Sequence, residues 1–233
     1  MRLTFSHSKA EANKIKTFYF KPEQKLVFTA GQFIELHLKH EHPDKRGTKR
    51  WFTISSSPEE ELISITTRLN DKGSTFKKAL DGLKSGDELD FQGPMGDFVL
   101  PKLIQTPLIF VAGGIGITPF HSIFSWLIEA KETRPIKLIF GVKSEDDLIF
   151  LETFKKASQH VTAVVENPSD TWGGERGVIN ADLIKGIASP TEDSLIYVSG
   201  PEPMVETLEK NLIKSGINKK QLVLDFFPNY EHI

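Results

Sequence analysis

Residues Val111–Pro119 read VAGGIGITP, a glycine-rich turn at the end of the short apolar run Pro107–Ala112. A continuous apolar strand of this length is typical of the buried strands of parallel sheets. Gly113, Gly114 and Gly116 would let the backbone approach a pyrophosphate closely, and the following helix offers unpaired N–H groups and a positive dipole end. The stretch therefore predicts a strand–turn–helix unit that opens a doubly wound α/β domain, with a dinucleotide at its first turn.

The residues after the turn suit the start of a helix. Thr118 can cap this helix, and Pro119 suits its first turn. The glycine spacing differs from the common G-x-G-x-x-G pattern, and glycine-rich turns also occur without a ligand. The motif alone leaves two alternatives, a dinucleotide site and a ligand-free strand–helix turn.

The chain beyond Pro101 alternates strands with helices. The apolar pattern predicts further strands at Lys137–Val142, Val161–Val165, Leu195–Ser199 and Leu222–Phe226, and helices at Thr118–Ala130, Leu148–Ala157, Ala181–Gly186 and Glu202–Ser215. This alternation predicts a doubly wound parallel sheet over residues 103–233.

The first hundred residues show a period of two instead. Polar and apolar residues alternate in the stretches Ile15–Phe20, Phe33–Leu38, Trp51–Ile54, Leu62–Thr67 and Glu88–Phe91, between glycine and proline turns. The pattern predicts a small antiparallel β-barrel over residues 1–102, and hence an α+β two-domain protein, and we expect this barrel to have six strands. One helix interrupts this half, with Ser74 or Thr75 as its cap and Phe76 and Leu80 on one face.

A second chemical motif, RWFTISSSP, spans residues Arg50–Pro58. Arg50 could bind a phosphate with two hydrogen bonds, and Trp51 or Phe52 could cover a flat ring. The Thr53 hydroxyl could form a hydrogen bond with a ring nitrogen. An ordinary strand with core aromatics and a serine-rich turn explains the same residues equally well.

Composition excludes several kinds of site. The chain has 233 residues, a net charge of −2 and no cysteine. Disulfides, thiolate metal sites, cysteine nucleophiles and cysteine-ligated iron–sulfur clusters are therefore ruled out within this sequence. The charge gives no bias toward nucleic acid. The N-terminal residues do not look like a signal peptide, and the most apolar stretch, Pro107–Ile117, is too short to span a membrane, so we expect a cytoplasmic protein.

Two local clusters carry weaker signals. His37, His40 and His42 lie close together, but no second group of ligands completes a coordination shell, so we predict no metal site. The run from Lys39 to Arg50 is basic. It suits a solvated loop, although it could also attract an acidic redox partner or hold the AMP half of FAD.

Taken together, the motifs resemble those of the ferredoxin–NADP⁺ reductase superfamily. In the family order stand Arg50–Thr53 (RWFT), Gly73–Thr75 (GST), Gly93–Phe98 (GPMGDF), Gly113–Pro119 (GGIGITP) and Tyr197–Met204 (YVSGPEPM). The resemblance covers almost the whole chain. It implies FAD on the barrel, NADH or NADPH on the α/β domain, and hydride transfer between them.

The resemblance also implies roles for individual residues of the barrel. Arg50 would contact the FAD pyrophosphate, Phe52 would lie on the isoalloxazine, and Thr53 would donate a hydrogen bond to flavin N5. The strand with Thr66 and Thr67 would add backbone contacts. The residues Gly73, Ser74 and Thr75 would place a helix N-terminus against the pyrophosphate.

In the α/β domain, the resemblance implies that Thr118 sits near the nicotinamide. Gly200, Pro201 and Met204 would shape the pocket where nicotinamide meets flavin.

This chain departs from the family pattern in three places. Phe52 stands where tyrosine is usual, and Ser199 stands where cysteine often precedes Gly-Pro. Tyr230 is our candidate for an aromatic cover on the flavin, with Phe226 or Phe227 as alternatives. For those two phenylalanines we favour an ordinary core position. Thr53, Ser199 and Tyr230 are thus the residues that we expect closest to the hydride transfer.

The choice of nicotinamide cofactor depends on the end of the third parallel strand. Glu166 could accept a hydrogen bond from a ribose 2′-OH and would repel a 2′-phosphate, which favours NADH. Lys143, Ser144 and Arg176 lie on neighbouring loops and could reverse that preference.

Three functions agree with the sequence. The first is a reductase with bound FAD that serves a separate acceptor such as ferredoxin, flavodoxin or free flavin. The second is a flavin reductase that uses flavin as a dissociable substrate. The third is a non-catalytic nucleotide-binding subunit of a larger redox complex.

Overall fold

A computed structural model describes residues 1–70 and 73–227. The N-terminal part is a six-stranded antiparallel sheet, and the C-terminal part is a six-stranded parallel sheet flanked by helices. The predicted fold class is thereby confirmed. The boundary after residue 102 stays a prediction.

The antiparallel sheet is rolled into a barrel. Its strands are β1 (Arg2–Ala12), β2 (Ile15–Pro22), β3 (Phe33–His37), β4 (Lys49–Thr53), β5 (Ile63–Arg68) and β6 (Glu88–Met95). They run in the order β4-β3-β6-β1-β2-β5, and an isolated bridge between Ile54 and Ile65 brings the two edges together. Closure of this kind removes unpaired sheet edges.

One helix, α1 (Thr75–Asp81), packs against the barrel core. Ser74 is its N-cap, accepting a hydrogen bond from the amide of Lys77. Phe76 and Leu80 are fully buried among the core residues of the barrel. The predicted amphipathic face is therefore the face that packs.

The parallel sheet has helices on both faces. Its strands are β7 (Leu108–Gly113), β8 (Ile136–Val142), β9 (Val161–Val165), β10 (Glu175–Arg176), β11 (Leu195–Pro201) and β12 (Leu222–Phe227); the helices are α2 (Thr118–Ala130), α3 (Leu151–Lys156), α4 (Ala181–Ala188) and α5 (Glu202–Lys214). The order is β10-β9-β8-β7-β11-β12. The chain moves outward from β7 and then returns to its other side, which creates a topological switch point between β7 and β11.

Three elements differ most clearly from the prediction, and one of them is the short strand β10, which was not predicted. β1 was not predicted as a strand, because only its first half carries buried apolar residues, Leu3 and Phe5, while the rest is largely exposed. The helix predicted from Leu148 begins only at Leu151. Phe150 has a left-handed backbone with φ of 64° and thereby interrupts any helix that starts earlier.

One apolar cluster joins the two domains, beside a separate core inside the barrel and another within the α/β part. Phe98, at the end of the barrel, makes edge-on ring contacts with Phe120 of α2 and Tyr197 of β11. The Tyr197 hydroxyl donates to the carbonyl of Val99 at 2.7 Å. Within the described ranges, no helix is long and apolar enough to cross a bilayer.

Candidate functional site

Strand β4 turns Arg50 and Phe52 toward the barrel interior. Opposite them on β3 lie Leu36 and Ile34, both fully buried. Phe52 is only 7% exposed, and its ring centroid lies 5.9 Å from that of Phe76. The ring that the resemblance places against the flavin is therefore a core ring in this structure.

The opposite face of β4 carries Trp51 and Thr53. Trp51 is 55% exposed, lies 5.9 Å from the ring of Phe33, and donates through Nε1 to Glu35. Thr53 is buried beside Phe33, yet its hydroxyl makes no hydrogen bond among the described residues. A free hydroxyl with this placement can donate to a ligand, as the proposed contact with flavin N5 requires.

The start of α1 is a tight turn. The amide of Gly73 donates to the carbonyl of Asn70, and a Cβ on Gly73 would lie 2.6 Å from that oxygen. Ser74 uses its side chain as the cap, so the predicted alternative of Thr75 as the cap is wrong. The Thr75 hydroxyl instead accepts from the amide of Asp44.

Two groups that the sequence analysis assigned to a pyrophosphate donate hydrogen bonds to the same carboxylate of this chain. Arg50 and the backbone amide of Thr75 both donate to the carboxylate of Asp44. A guanidinium and a helix amide that hold one carboxylate form a donor set that also suits phosphate oxygens. The residues therefore fit the FAD pyrophosphate chemically, although the chain's own carboxylate stands in that position.

The two predicted threonines of β5 have different surroundings. The hydroxyl of Thr66 bonds to that of Thr17 at 2.9 Å, and Thr67 is 1% exposed. Strand β5 packs against the turn Gly114–Ile117 of the α/β domain. The barrel strand expected along the flavin thus adjoins the turn expected to bind the dinucleotide.

Each glycine in that turn serves a distinct purpose. A Cβ on Gly113 would lie 2.2 Å from the Met204 sulfur, and one on Gly116 would lie 2.2 Å from the carbonyl oxygen of Ser199. These two glycines allow β7 and the turn to approach β11. Gly114 has φ of 52° and open space around its Cβ position, so it is the glycine that leaves room for a ligand.

Thr118 does not act as the predicted N-cap. A 3₁₀ turn over Gly114–Ile117 precedes α2, whose N-cap is Ile117 without a side-chain hydrogen bond. Thr118 is the first residue of α2, is 2% exposed, and donates its hydroxyl to the carbonyl of Ile115. Pro119 lies in the first turn of the helix, as predicted.

Residues at the end of β11 form the other side of the switch point, opposite the glycine turn that follows β7. Gly200 packs against Gly113, and the sulfur of Met204 approaches both glycines. Pro201 is the N-cap of α5. Ser199 is fully buried and donates its hydroxyl to Asp225 at 3.1 Å.

Asp225 is a residue that the sequence interpretation missed. It lies on β12 directly opposite Ser199. Burial raises the pKa of Asp225 to about 6, against the opposing effect of the hydrogen bond from Ser199. A carboxyl that titrates near neutrality beside a predicted nicotinamide pocket can hold or release a proton there.

The residues considered for cofactor choice lie beyond β9. Glu166 is exposed, and its amide donates to the carbonyl of Val142. Arg176 donates through Nη2 to the carbonyls of Ser169, Asp170 and Trp172. The guanidinium is thus partly committed to its own loop, whereas the Glu166 carboxylate faces solvent.

The serine run after Thr53 fastens the barrel to α2. The carbonyls of Ser55 and Ser56 accept from His121 and from the hydroxyl of Ser122, at 2.7 and 2.6 Å. Ser57 donates its hydroxyl to Glu129. These serines are therefore interdomain contacts, which agrees with the structural interpretation of this turn.

His121 has no free ring nitrogen at this contact. Its second nitrogen bonds to the Thr153 hydroxyl at 3.1 Å, and its ring stacks on Phe150. Burial lowers the pKa of His121 to about 4, although its bond to Ser55 opposes this change. The ring is therefore neutral at pH 7, and the contact survives ordinary changes in pH.

The proposed aromatic cover cannot be located. Tyr230 and the side chain of Phe227 lie outside the described residues. Phe226 is 45% exposed, so the core position that we favoured for it is wrong. It pairs with Gly200 of β11, next to the switch point between β7 and β11.

Two family models match this chain. The model described as an oxidoreductase FAD-binding domain matches residues 2–100, and an oxidoreductase NAD-binding domain matches residues 110–210. Together they cover the barrel and most of the α/β part. The chain therefore carries both an FAD-binding and an NAD-binding domain.

Curated relatives include several reductases. The chain is 25% identical to a flavohemoprotein of Oceanobacillus iheyensis over 96% of its length and 58% of the relative. It is 28% identical to a glycine betaine monooxygenase reductase subunit of Pseudomonas aeruginosa, over 87% of its length and 57% of the relative. The chain thus spans less than two thirds of these two relatives. An NADH-cytochrome b5 reductase 1 of Aspergillus terreus is 29% identical over 87% of this chain and 72% of the relative.

Solved structures share the fold. A cytochrome P450 reductase of Amycolatopsis superposes with a TM-score of 0.83 at 22% identity, over 97% of this chain and 70% of that one. A ferredoxin NADP⁺ reductase of Neisseria gonorrhoeae, solved with FAD and NADP, gives 0.80 at 20% identity, over 97% and 98%. At these identities the similarity shows the two-domain fold alone.

Proposed function

Since the chain belongs to the ferredoxin–NADP⁺ reductase superfamily of FAD- and NAD(P)H-linked oxidoreductases, we propose that it takes a hydride from NADH and passes electrons to a separate acceptor. Ferredoxin and flavodoxin are the acceptors that we favour. The absence of cysteine means that this sequence supplies no cysteine-ligated iron–sulfur cluster of its own.

One observation supports this proposal above the others. Strand β5 of the barrel packs against the glycine turn that lies at the switch point of the parallel sheet. Ligands of such sheets bind beyond the carboxyl ends of the strands at this point. A flavin on the barrel and a nicotinamide at the switch point would therefore meet at this contact.

The bound cofactors would supply the hydride donor and acceptor, and the chain's residues would hold them. Thr53 offers an unpaired hydroxyl on the barrel side. Gly114 leaves open space at the dinucleotide turn, and Ser199 with Asp225 forms a hydrogen-bonded pair below the pocket. The apolar cluster shared by the two domains includes Ala112 and Ile117, which flank the glycines of this turn.

NADH is the nicotinamide cofactor that we favour. The exposed Glu166 carboxylate suits a ribose 2′-OH and opposes a 2′-phosphate. Arg176, the main competing residue, already donates to three backbone carbonyls of its own loop.

A second function is favoured by the surroundings of Arg50. Its guanidinium is paired with Asp44, so a flavin phosphate has to compete for it. A flavin that competes with an internal anion exchanges more readily than one that enters a vacant cation site. We therefore keep the alternative of a flavin reductase that uses flavin as a dissociable substrate.

An anaerobic absorbance experiment tests these proposals. Purified protein is loaded with FAD and titrated first with NADH and then, separately, with NADPH. Bleaching of the flavin band by NADH supports the proposed reductase, and a preference for NADPH overturns the assignment to Glu166. A protein that binds FAD but is not reduced by either nucleotide overturns the proposed reductase.

The two acceptor proposals separate in a second measurement. Ferredoxin reduction by protein that retains FAD through gel filtration supports a protein acceptor. Rapid NADH oxidation that saturates with added free flavin, by protein that loses its FAD on the column, supports the flavin reductase.

A further inference from the structure

The loop between β3 and β4 inserts a carboxylate into the barrel's predicted phosphate site. Asp44 Oδ1 accepts from Arg50 Nη2 at 2.8 Å, and its Oδ2 accepts from the amide of Thr75 at 3.2 Å. The amide of Asp44 in turn donates to the Thr75 hydroxyl at 2.9 Å. The amide of Arg46 also donates to Asp44 Oδ1, at 2.9 Å. Asp44 is therefore fixed by four such contacts, two of which use donors expected to hold a phosphate.

Arg50 is an unusual residue in this domain. It is buried, with only 8% of its surface exposed, and it is the only charged residue of the barrel's described part that is buried to this extent. Its Nη1 donates to the carbonyls of Arg46, Gly47 and Lys49. Its Cζ lies over the ring of Phe76, 5.3 Å from the ring centroid. A buried guanidinium of this kind needs an anion close by.

The guanidinium nevertheless has capacity left over. Its Nε is buried and has no hydrogen-bond partner. A single carboxylate that reaches only Nη2 leaves this donor unsatisfied, which is unfavourable for a buried polar group. A phosphate carries more oxygens than a carboxylate, so it offers this guanidinium further acceptors.

We propose that Asp44 is an internal competitor for the flavin phosphate, and that it makes FAD an exchangeable ligand of this chain. In the absence of flavin, Asp44 supplies the anion that Arg50 requires. When flavin binds, a phosphate replaces the carboxylate on Arg50 and on the Thr75 amide. This inference rests on the proposed function, since it concerns the flavin site of that function.

The charge of Asp44 persists over the pH range in which such a protein works. Burial tends to raise its pKa, but the amide of Arg46 and the charge of Arg50 outweigh burial and leave the pKa of Asp44 below its usual value. The carboxylate is thus ionised at neutral pH. The competition depends on charge and should weaken as salt screens both anions.

The test compares three flavins on wild-type and Asp44→Asn proteins. FAD, FMN and riboflavin are titrated into flavin-free protein, with quenching of flavin fluorescence as the readout. Riboflavin carries no phosphate, so it reports on the ring site alone. Asp87→Asn is the matched control, because Asp87 also accepts a backbone hydrogen bond in a barrel loop but has no contact with Arg50.

We expect Asp44→Asn to tighten FAD and FMN at least about tenfold, because an amide competes poorly with a phosphate for a guanidinium. Riboflavin affinity and the Asp87→Asn control should stay unchanged. An unchanged or weaker affinity for FAD in Asp44→Asn, with riboflavin still bound, overturns the proposal and leaves the flavin site intact. Failure of all three flavins to bind either protein overturns the proposed function as well.

Loss of the carboxylate can also destabilise the fold, so thermal unfolding is a second readout. Inorganic pyrophosphate serves as the probe. It should raise the Tm of Asp44→Asn markedly and that of the wild type only slightly, since only the variant has an unmatched Arg50. Equal shifts in both proteins contradict the competition.

Discussion

The barrel and the α/β domain each carry a turn that the sequence assigns to a phosphate, and the two turns differ. At the start of α1 the donors are already occupied by Asp44. At the end of β7 the glycines pack against Met204 and Ser199, and only Gly114 faces open space. At the start of α1 the Asp44 carboxylate occupies the predicted phosphate site. At the end of β7 the missing side chain of Gly114 leaves open space.

The difference shows that a sequence pattern typical of phosphate sites identifies hydrogen-bond donors, but does not show whether those donors are free to bind a ligand. Glycines at β7 leave room because nothing replaces the missing Cβ at Gly114. A buried arginine needs an anion close by, and here the Asp44 carboxylate is that anion. Availability therefore depends on how the loop before β4 folds back onto the site.

Phe52→Ala gives the largest expected change and tests the barrel side of this comparison. Phe52 packs in the core against Phe76, so its truncation should lower the free energy of unfolding by about 3–5 kcal/mol. Urea denaturation monitored by circular dichroism measures the change.

Trp51→Ala is the matched control for this variant, because Trp51 is adjacent on the same strand but points outward. It should cost less than about 1 kcal/mol. A larger effect from Trp51→Ala than from Phe52→Ala contradicts the orientation of β4.

Gly116→Ala tests the α/β side. The new Cβ would lie 2.2 Å from the backbone oxygen of Ser199, so the turn must move away from β11. We expect a loss of about 3 kcal/mol in stability, again by urea denaturation.

Gly186→Ala is the control for Gly116→Ala. Gly186 lies within α4 and has nothing within 4 Å of its Cβ position. Alanine there should stabilise the protein by roughly 0.5–1 kcal/mol. If both variants behave alike, the close approach of the turn to β11 is not required.

Asp225→Asn should change how stability depends on pH. The native pKa of Asp225, about 6, lies above its value of roughly 3.9 in an unfolded chain. Between these values the native state binds more protons, so the wild type loses stability as pH rises through about 6. The loss amounts to about 2–3 kcal/mol and should be absent in the variant.

The quantity to measure is the difference in unfolding free energy between wild type and variant from pH 4 to pH 7.5. His121 titrates in both proteins, so its opposite contribution cancels. A flat difference for Asp225→Asn would mean that Asp225 is not held in a buried site.

Tyr197→Phe has the smallest expected effect. It removes the hydroxyl that donates to Val99 across the domain boundary, at a cost of about 1 kcal/mol. Tyr19→Phe, whose hydroxyl has no hydrogen bond among the described residues, should be neutral within about 0.5 kcal/mol. If both variants lose the same amount of stability, the hydrogen bond from Tyr197 to Val99 contributes nothing beyond the general effect of removing a tyrosine hydroxyl.

The sequence predicted elements best where local signals agree with packing. The bounds of α2 (Thr118–Ala130) were predicted correctly. The apolar periodicity extends over this range, and Pro119 favours the start of a helix at that point. β1 was missed because Lys9 and its neighbours are polar and exposed, so half of the strand lacks the period of two. Pairing with β2 along most of its length, and with β6 at Arg2–Thr4, makes it a strand.

The candidate site was predictable in residue type but not in pairing. Arg50, Ser74 and Thr75 do come together, as their motifs suggest. Nothing local indicated that Asp44 would join them, because that contact depends on how an eleven-residue loop, 38–48, folds back. Asp225 was overlooked for a similar reason, since it lies in an apolar strand and gains its importance from Ser199 on another one.

The shared core has a consequence for how such chains can be recombined. Ile15, Ala30 and Phe98 belong to the barrel by sequence, yet they are buried with Phe120 and Tyr197 of the α/β part. A chimera that joins this barrel to the α/β half of a relative would bring two unmatched apolar surfaces together. Successful exchange would have to transplant both sides of that surface together.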